Sequence, residues 1–245
     1  KGQKDHVHVR KMPDGIRGDW KYKNKFWIKE YIKDVQNIID QIYSNNKKLS
    51  CFFVESILGC GGQIILPPNY LKETFKLVRK KSALCIIDEV QTGFGRVGNN
   101  FWGFEEHGVV PDIITLGKPM GNGHPIAAVV TTKEIANVFN NGMEYFNSFG
   151  GNPVSCAVGN AVLEVIENEQ LQKRALDVGK YFLNSLNLIK KNHPKLMETK
   201  FGTFRAQVEL EALVRCIIQI MDRDFIYAHG LFLTPSEKKV RVHGT

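Results

Sequence analysis

Residues 83–91 of the chain read ALCIIDEVQ, and residues 113–123 read IITLGKPMGNG. Each stretch opens with a short apolar run, which is typical of a buried strand. The first run ends at Asp88, and the second leads within two residues to Lys118. The two stretches therefore predict two strands that end beside charged groups.

The segments before these stretches predict helices and a further strand. Residues 26–44 and 69–80 have the apolar spacing of amphipathic helices, and residues 50–57 form another short β-rich run. Strand–helix–strand order favours a parallel βαβ unit, in which active-site loops lie at the carboxyl ends of the strands. Both Glu55 and Asp88 fall at such ends.

The remaining chain adds elements of both kinds, without an internal repeat or a low-complexity tract. We predict loops at 1–25, 59–68, 92–104 and 142–153, a strand at 127–131, and helices at 133–139, 154–167 and 169–191. This alternation predicts an α/β fold with a mostly parallel sheet.

The bulk composition excludes several classes of protein. Hydrophobic residues make up 43% of the 245 residues and charged residues 24%, which is ordinary for a globular domain. No apolar run approaches the roughly 20 residues of a membrane span. The net charge is +8, but the Lys and Arg residues are scattered rather than gathered in one stripe. We therefore expect no membrane and no nucleic-acid partner.

The cysteines indicate a reducing compartment. There are five, an odd number, and none forms a CxxC pair. This argues against a disulfide framework and against a structural zinc site, so we expect no metal. Cys51 and Cys85 lie in apolar runs, and we expect both in the core.

Three features at the predicted strand ends carry chemistry. Asp88 follows an apolar strand, where a carboxylate needs a partner such as a protonated ring nitrogen, although a turn or cap residue also fits. Lys118 lies between a strand and glycines, where burial can lower an amine's pKa, although an exposed turn lysine also fits. Residues 147–153, NSFGGNP, suit a phosphate or simply precede a helix that begins near Pro153.

In this order, the segments IIDEVQTGFGRVG (86–98), PDIITLGKPMGNGHPIAAVVTT (111–132) and GMEYFNSFGGNPVSCAVG (142–159) resemble the class III aminotransferases. The resemblance covers roughly residues 5–195. It implies the pyridoxal-phosphate (PLP)-dependent transferase fold type I: an incomplete large domain of three layers with a mostly parallel sheet. It also implies PLP as cofactor, a small-molecule amine as substrate, and a homodimer that shares its sites between subunits.

The resemblance assigns roles to five residues. Lys118 would be the Schiff-base lysine and general base, and Asp88 would hold the pyridine nitrogen. Gln91 would hydrogen-bond the ring oxygen, Ser148 would reach the cofactor phosphate across the dimer interface, and Glu55 would position the cofactor or cap a loop. Three more residues are expected near the site: His124, Phe149 and Asn152.

The runs ESILGCGGQ (55–63) and GKPMGNGHP (117–125) are similar to a narrower subgroup, the alanine–glyoxylate aminotransferase 2-like proteins. This subgroup includes phospho-lyases that act on phosphoethanolamine or 5-phosphohydroxylysine. We therefore expect phosphate elimination from an amino-alcohol phosphate. Transamination of the alanine–glyoxylate type is the first alternative, and an inactive truncated paralogue that acts by association is the second.

The chain departs from the family pattern at both ends. Residues 1–196 resemble the large domain without its N-terminal part, which carries phosphate-binding amides and a ring-stacking aromatic residue. Residues 197–245 form an atypical tail, with one apolar-rich helical run, in place of the small C-terminal domain. We expect this chain alone to bind PLP weakly or not at all. The compartment is expected to be mitochondrial by resemblance, with the cytoplasm as alternative; no targeting segment is visible.

Overall fold

The structure, a computed structural model, describes residues 4–143, 145–192, 231–232 and 241–242. The helices are α1 (Trp27–Ser44), α2 (Tyr70–Arg79), α3 (Lys133–Phe139), α4 (Pro153–Asn168) and α5 (Leu171–Asn192). The strands are β1 (Cys51–Glu55), β2 (Ile57–Leu58), β3 (Ile64–Ile65), β4 (Leu84–Asp88), β5 (Ile113–Leu116), β6 (Ala128–Thr131), β7 (Leu231–Phe232) and β8 (Arg241–Val242). Short 3₁₀ helices span Gly103–His107 and Lys118–Met120.

A four-stranded sheet forms the centre of the fold, in the order β1-β4-β5-β6. Strands β1, β4 and β5 are parallel, whereas β6 runs antiparallel to β5. Helix α2 connects β1 to β4, as the sequence predicts for a βαβ unit. The expected α/β class with a mostly parallel sheet is confirmed.

Helices α1 and α2 form because their apolar side chains recur at helical spacing. The buried residues of α1 lie three or four positions apart: Tyr31, Val35, Ile39 and Ile42. Those of α2 include Leu71, Phe75 and Val78, all at most 2% exposed. Both helices bury this stripe against the sheet, in one core with Val54, Cys85 and Ile87.

The two faces of the sheet are covered to different extents. Because side chains alternate along a strand, Val54 and Ile87 face the helices, and Phe53 and Val129 lie on the opposite face. Phe53 is 55% exposed and Val129 is 68% exposed. Among the described residues, helical packing is therefore concentrated on one face, and the other face stays open.

The predicted loop at residues 59–68 contains structure that the sequence analysis missed. Strands β2 and β3 pair antiparallel, with Leu58 opposite Ile64. Gly62 and Gln63 have φ values of 114° and 58°, which lets the chain reverse between the two strands. Two-residue strands carry too little periodicity for a pattern to reveal them.

The two cysteines expected in the core have different surroundings. Cys85 is fully buried, and burial together with Asp112 raises the pKa of its thiol to about 12, so it stays protonated at neutral pH. The expectation for Cys51 is wrong, because its side chain is exposed. Cys51 begins β1 on the face that the helices leave open, whereas Cys85 lies on the covered face.

Helices α4 and α5 confirm the two long helical patterns and their junction near Asn168. Gln170, with φ of 52°, interrupts the helical conformation between them. Helix α5 packs against the loop after β4, where the Gln172 side chain donates to the Gly98 carbonyl at 3.1 Å. The predicted helical run of the tail lies outside the described residues. Within residues 197–245 the structure describes β7 and β8, which pair antiparallel.

No described helix combines the length and the apolar character that a membrane crossing requires.

The loop before α1 is held by a buried carboxylate. Asp14, 4% exposed, accepts hydrogen bonds from the Ile16 and Arg17 amides at 2.8 and 3.1 Å and from the Arg17 guanidinium at 2.7 Å. Burial alone raises the pKa of Asp14, but the guanidinium and the two amides outweigh burial and lower it. The carboxylate of Asp14 therefore binds a proton less tightly in the folded state than in the unfolded chain.

Replacing Asp14 with Asn is expected to lower the free energy of unfolding by about 1–3 kcal/mol at pH 7. The contribution of the Asp14 charge is complete above the unfolded pKa of about 3.9 and is lost as pH falls through the lower folded value. Urea unfolding should therefore show that the difference from wild type disappears in strong acid. Asp19→Asn, at an exposed carboxylate, is the control; a loss independent of pH would contradict the assignment.

Candidate functional site

The two predicted acidic residues, Glu55 and Asp88, lie with Thr115 in one row across the sheet, here called the strand-end row. Glu55 of β1 is the register partner of Asp88 in β4, and Asp88 is the partner of Thr115 in β5. Partners on parallel strands point to the same face. Since Val54 and Ile87 face helices α1 and α2, these three polar side chains lie on the open face at the carboxyl ends of the strands.

Asp88 and Thr115 retain hydrogen-bonding capacity in this row. Oδ1 of Asp88 accepts from the Val90 amide at 2.8 Å, and Oδ2 accepts no hydrogen bond from a described residue. The Thr115 hydroxyl is buried and has no partner among the described residues. A half-buried carboxylate beside an unpaired hydroxyl fits a polar ring ligand, which would satisfy both.

Lys118 opens the 3₁₀ turn that directly follows β5. A Cβ built on the preceding Gly117 would lie 3.5 Å from the Val90 side chain, so this turn packs beside the end of β4. Of the two placements that the sequence left open for this lysine, the structure has the exposed one. The described residues leave that side of the turn uncovered. Its ammonium has no hydrogen bond or ion pair with another described residue.

Glu55 and Gln91 both contact the loop after β1. Oε2 of Glu55 accepts from the Gly59 amide at 2.5 Å, which matches the loop-capping alternative for this carboxylate. Gln91 Nε2 lies 3.9 Å from the sulfur of Cys60. A Cβ on Gly59 would lie 3.0 Å from Oε1 of Gln91, so the Gln91 side chain lies directly against this loop.

Ser148 lies in an exposed loop. Among the described residues, no side-chain hydrogen bond connects this loop to Glu55, Asp88 or Thr115. The Ser148 hydroxyl makes no hydrogen bond with a described residue. Oδ1 of Asn147 accepts from the Phe149 and Gly150 amides at 3.0 and 2.9 Å, which shapes the loop around Ser148. Phe149 is 83% exposed, so its ring lies on the surface of the described residues.

His124 and Asn152 link the lysine turn to helix α4. As expected from Pro153, this helix begins at that residue, and Asn152 caps it by accepting from the Ser155 amide at 2.8 Å. Nε2 of His124 lies 2.7 Å from Oγ of Ser155, which also accepts from Asn152 Nδ2 at 2.9 Å. Both residues therefore support the backbone that carries Lys118 and Ser148.

Glu89 is a fully buried residue to which the sequence motifs assigned no role. Its carboxylate accepts four hydrogen bonds, from the Ser56 and Thr92 hydroxyls and from the Gly103 and Phe104 amides. A usable signal was present in the sequence. Adjacent strand residues face opposite sides, so of two consecutive carboxylates at a strand end one must point into the core.

No cluster of three or more His, Cys, Asp or Glu side chains that could hold a metal ion occurs among the described residues. The polar groups on the open face at the strand ends are instead two carboxylates, one amine, one amide side chain and one unpaired hydroxyl. Such a set at the carboxyl ends of parallel strands is typical of a small-molecule site in an α/β protein.

The sequence profile of the Aminotransferase class-III family matches residues 3–236. The chain belongs to this family, whose members and structural neighbours are PLP-dependent enzymes. The match continues past residue 196, the boundary that the sequence analysis placed before the atypical tail.

Two curated relatives illustrate the similarity. An alanine–glyoxylate aminotransferase 2-like protein of Drosophila melanogaster is 45% identical over 210 residues, which cover 84% of this chain and 42% of the relative. The mitochondrial alanine–glyoxylate aminotransferase 2 of Homo sapiens is 49% identical over 154 residues, covering 63% of this chain and 30% of the relative. The chain spans less than half the length of these relatives.

Solved structures give the same family. A phospholyase from Arthrobacter in complex with phosphoethanolamine matches with a TM-score of 0.71 and 37% identity, over 77% of this chain and 44% of that one. The ornithine aminotransferase of Toxoplasma gondii, with partial occupancy of PLP at its active site, matches with a TM-score of 0.57 and 34% identity. It covers 68% of this chain and 36% of the other chain.

Proposed function

We propose that the chain supplies the lysine-bearing part of a PLP site and that the protein eliminates phosphate from an amino-alcohol phosphate. The observation that carries the proposal is the arrangement at the ends of β4 and β5. There Asp88, the unpaired hydroxyl of Thr115 and the turn with Lys118 lie at one sheet edge. The likeness to a phospholyase with bound phosphoethanolamine supports the choice of substrate class.

Each residue has a role set by its charge and position. Asp88 holds a positive charge on the ring nitrogen, because its second oxygen has no other partner among the described residues. Gln91 and Thr115 offer hydrogen bonds to ring substituents, and Ser148 donates to the cofactor phosphate. Glu55 supports Gln91 through the Gly59 loop rather than by touching the ring.

Lys118 moves the proton on which elimination depends. PLP, when bound, supplies an electron sink for the carbon next to the substrate amine. The Lys118 amine would take the proton from that carbon. The electron pair of the broken C–H bond would form a carbon–carbon double bond as the C–O bond on the adjacent carbon breaks, and phosphate would depart with the electron pair of that C–O bond.

The test is phosphate release by the longest protein that the transcript encodes, here called the full-length protein. With PLP present, it is expected to release phosphate from phosphoethanolamine or from 5-phosphohydroxylysine. Loss of phosphate release is expected when Lys118 is replaced by alanine. Lys76→Ala, which removes an exposed lysine on α2, is the matched control and should keep the wild-type rate. The formation of pyruvate and glycine from alanine and glyoxylate is measured in the same samples.

Alanine–glyoxylate transamination is the second candidate, favoured by the names of the Drosophila and human relatives. Conversion of alanine and glyoxylate to pyruvate and glycine, with no phosphate released from either phosphorylated amine, would select this activity and reject the lyase.

We further propose that the protein is a homodimer that uses the loop around Ser148 as part of its interface. This loop presents four large apolar side chains that are at least 72% exposed: Met143, Tyr145, Phe146 and Phe149. A cluster of this kind is typical of an interaction surface. Sedimentation of the full-length protein is expected to give a dimer, and Phe146→Ser with Phe149→Ser should shift it toward monomer. Monomeric wild-type protein would reject the proposal.

We propose a mitochondrial location, supported by the name of the human relative. Fluorescence microscopy of the tagged full-length protein should show it in mitochondria. A uniform cytoplasmic signal would reject this location.

A further inference from the structure

We propose that Glu89 is a positioning residue whose buried carboxylate fixes the turn between Asp88 and Gln91. The inference rests on the proposed function, because it assigns these two neighbours to the cofactor. Glu89 follows Asp88 directly but points to the opposite side of the sheet, into the interior. It therefore acts on the cofactor residues through the backbone that they share.

The carboxylate of Glu89 joins three segments of the chain. Oε1 accepts from the Ser56 hydroxyl, just after β1, and from the Phe104 amide at 2.8 Å. Oε2 accepts from the Thr92 hydroxyl at 2.8 Å and from the Gly103 amide at 2.9 Å. Four donors fill the acceptor sites of an ionised carboxylate, so the group is satisfied without a cation.

The main chain of Glu89 is held as firmly as its side chain. Its amide donates to the Thr115 carbonyl at 2.9 Å, and its carbonyl accepts from the Gly93 amide at 3.0 Å. The next amide, that of Val90, donates to the Asp88 carboxylate. The direction of the Asp88 side chain thus depends on the backbone that Glu89 anchors.

Close packing around Gly103 gives independent support. A Cβ on this glycine would lie 2.9 Å from the Cβ atoms of both Ser56 and Thr92, so a larger residue cannot be accommodated without movement. The absence of a side chain lets the Gly103 amide approach the carboxylate. The three donor segments therefore converge tightly on Glu89.

An amide cannot replace this carboxylate. Each oxygen receives one hydroxyl, which can rotate and accept instead, and one backbone N–H, which cannot. In Glu89→Gln, whichever position the NH₂ group takes, it faces either the Phe104 or the Gly103 amide. One buried backbone donor is then left without an acceptor, and the turn must shift to relieve it.

The experiment compares Glu89→Gln with Val78→Ala in the full-length protein. Val78 is fully buried in α2 and remote from the turn, so Val78→Ala controls for lost stability alone. Amide hydrogen exchange at Gly103 and Phe104 is measured without cofactor, and PLP affinity is measured by titration at a temperature where all variants are folded. Glu89→Gln is expected to accelerate exchange at these amides and to weaken PLP binding roughly five- to hundredfold.

Val78→Ala should lower the thermal midpoint without changing PLP affinity. Thr92→Val removes one of the four hydrogen-bond donors to Glu89 and should weaken PLP binding less than Glu89→Gln does. It is the variant to measure if Glu89→Gln does not fold. Wild-type exchange rates at Gly103 and Phe104 in Glu89→Gln would overturn the inference, and so would an equal loss of PLP affinity in Val78→Ala. Failure of wild-type protein to bind PLP would reject the proposed function instead, while the exchange rates still test the anchoring by Glu89.

Discussion

Replacing Lys118 with alanine is expected to abolish covalent attachment of PLP and to reduce phosphate release roughly 10³-fold or more. The reason is that one amine both attaches the cofactor and takes the substrate proton. Removal of the side chain should leave folding intact, because Lys118 is exposed and has no hydrogen-bonding partner among the described residues. Absorbance of the PLP adduct, phosphate release and the thermal midpoint are measured on the same samples.

Two controls make the Lys118 result specific. Lys76→Ala removes an exposed lysine of α2 and should behave as wild type in all three measurements. Lys118→Arg keeps the positive charge, but its guanidinium cannot form the covalent linkage to PLP or act as a base at neutral pH. This variant should therefore be as inactive as Lys118→Ala. Retention of the PLP adduct in Lys118→Ala would contradict the assignment of this residue.

The second large effect is expected for Asp88→Asn, with a different signature. Asparagine is isosteric and keeps an oxygen for the Val90 amide, but it carries no negative charge to hold a protonated ring nitrogen. PLP should therefore still attach to Lys118, whereas phosphate release should fall roughly 10²- to 10³-fold. Absorbance of the PLP adduct, which Asp88→Asn should keep and Lys118→Ala should lose, distinguishes the two variants, while both should show reduced turnover.

Asp112→Asn is the control for Asp88→Asn, because Asp112 is another partly buried aspartate whose contacts, with Arg79 and the Cys85 amide, lie away from the strand-end row. It should lose stability but keep turnover once folded. Wild-type turnover in Asp88→Asn would reject the proposed pairing with the ring nitrogen.

The sequence predicted the elements that set the site. The apolar runs before Asp88 and Lys118 are β4 and β5, and the parallel register of β1 with β4 brings Glu55 and Asp88 together. These features were accessible because strand periodicity and strand-end chemistry are local properties of the chain. The family resemblance, carried by the order of three motifs, added the class III aminotransferase family, which the family profile confirms.

The sequence did not predict features that depend on how distant segments pack. The exposure of Cys51 follows from the open face of the sheet, which no local pattern reports. The bond between His124 and Ser155 joins residues 31 positions apart. The four donors to Glu89 come from separate segments, so alternation along β4 could indicate that Glu89 is buried but not which groups it binds.

The central claim is that one amine of this chain, that of Lys118, carries PLP. Borohydride reduction of the PLP-loaded full-length protein, followed by peptide mass spectrometry, tests this claim most directly. The prediction is a pyridoxyl group on the peptide that contains Lys118, at close to one per subunit. Stable PLP binding with the group on a different lysine, or with no covalent attachment, would contradict the assignment.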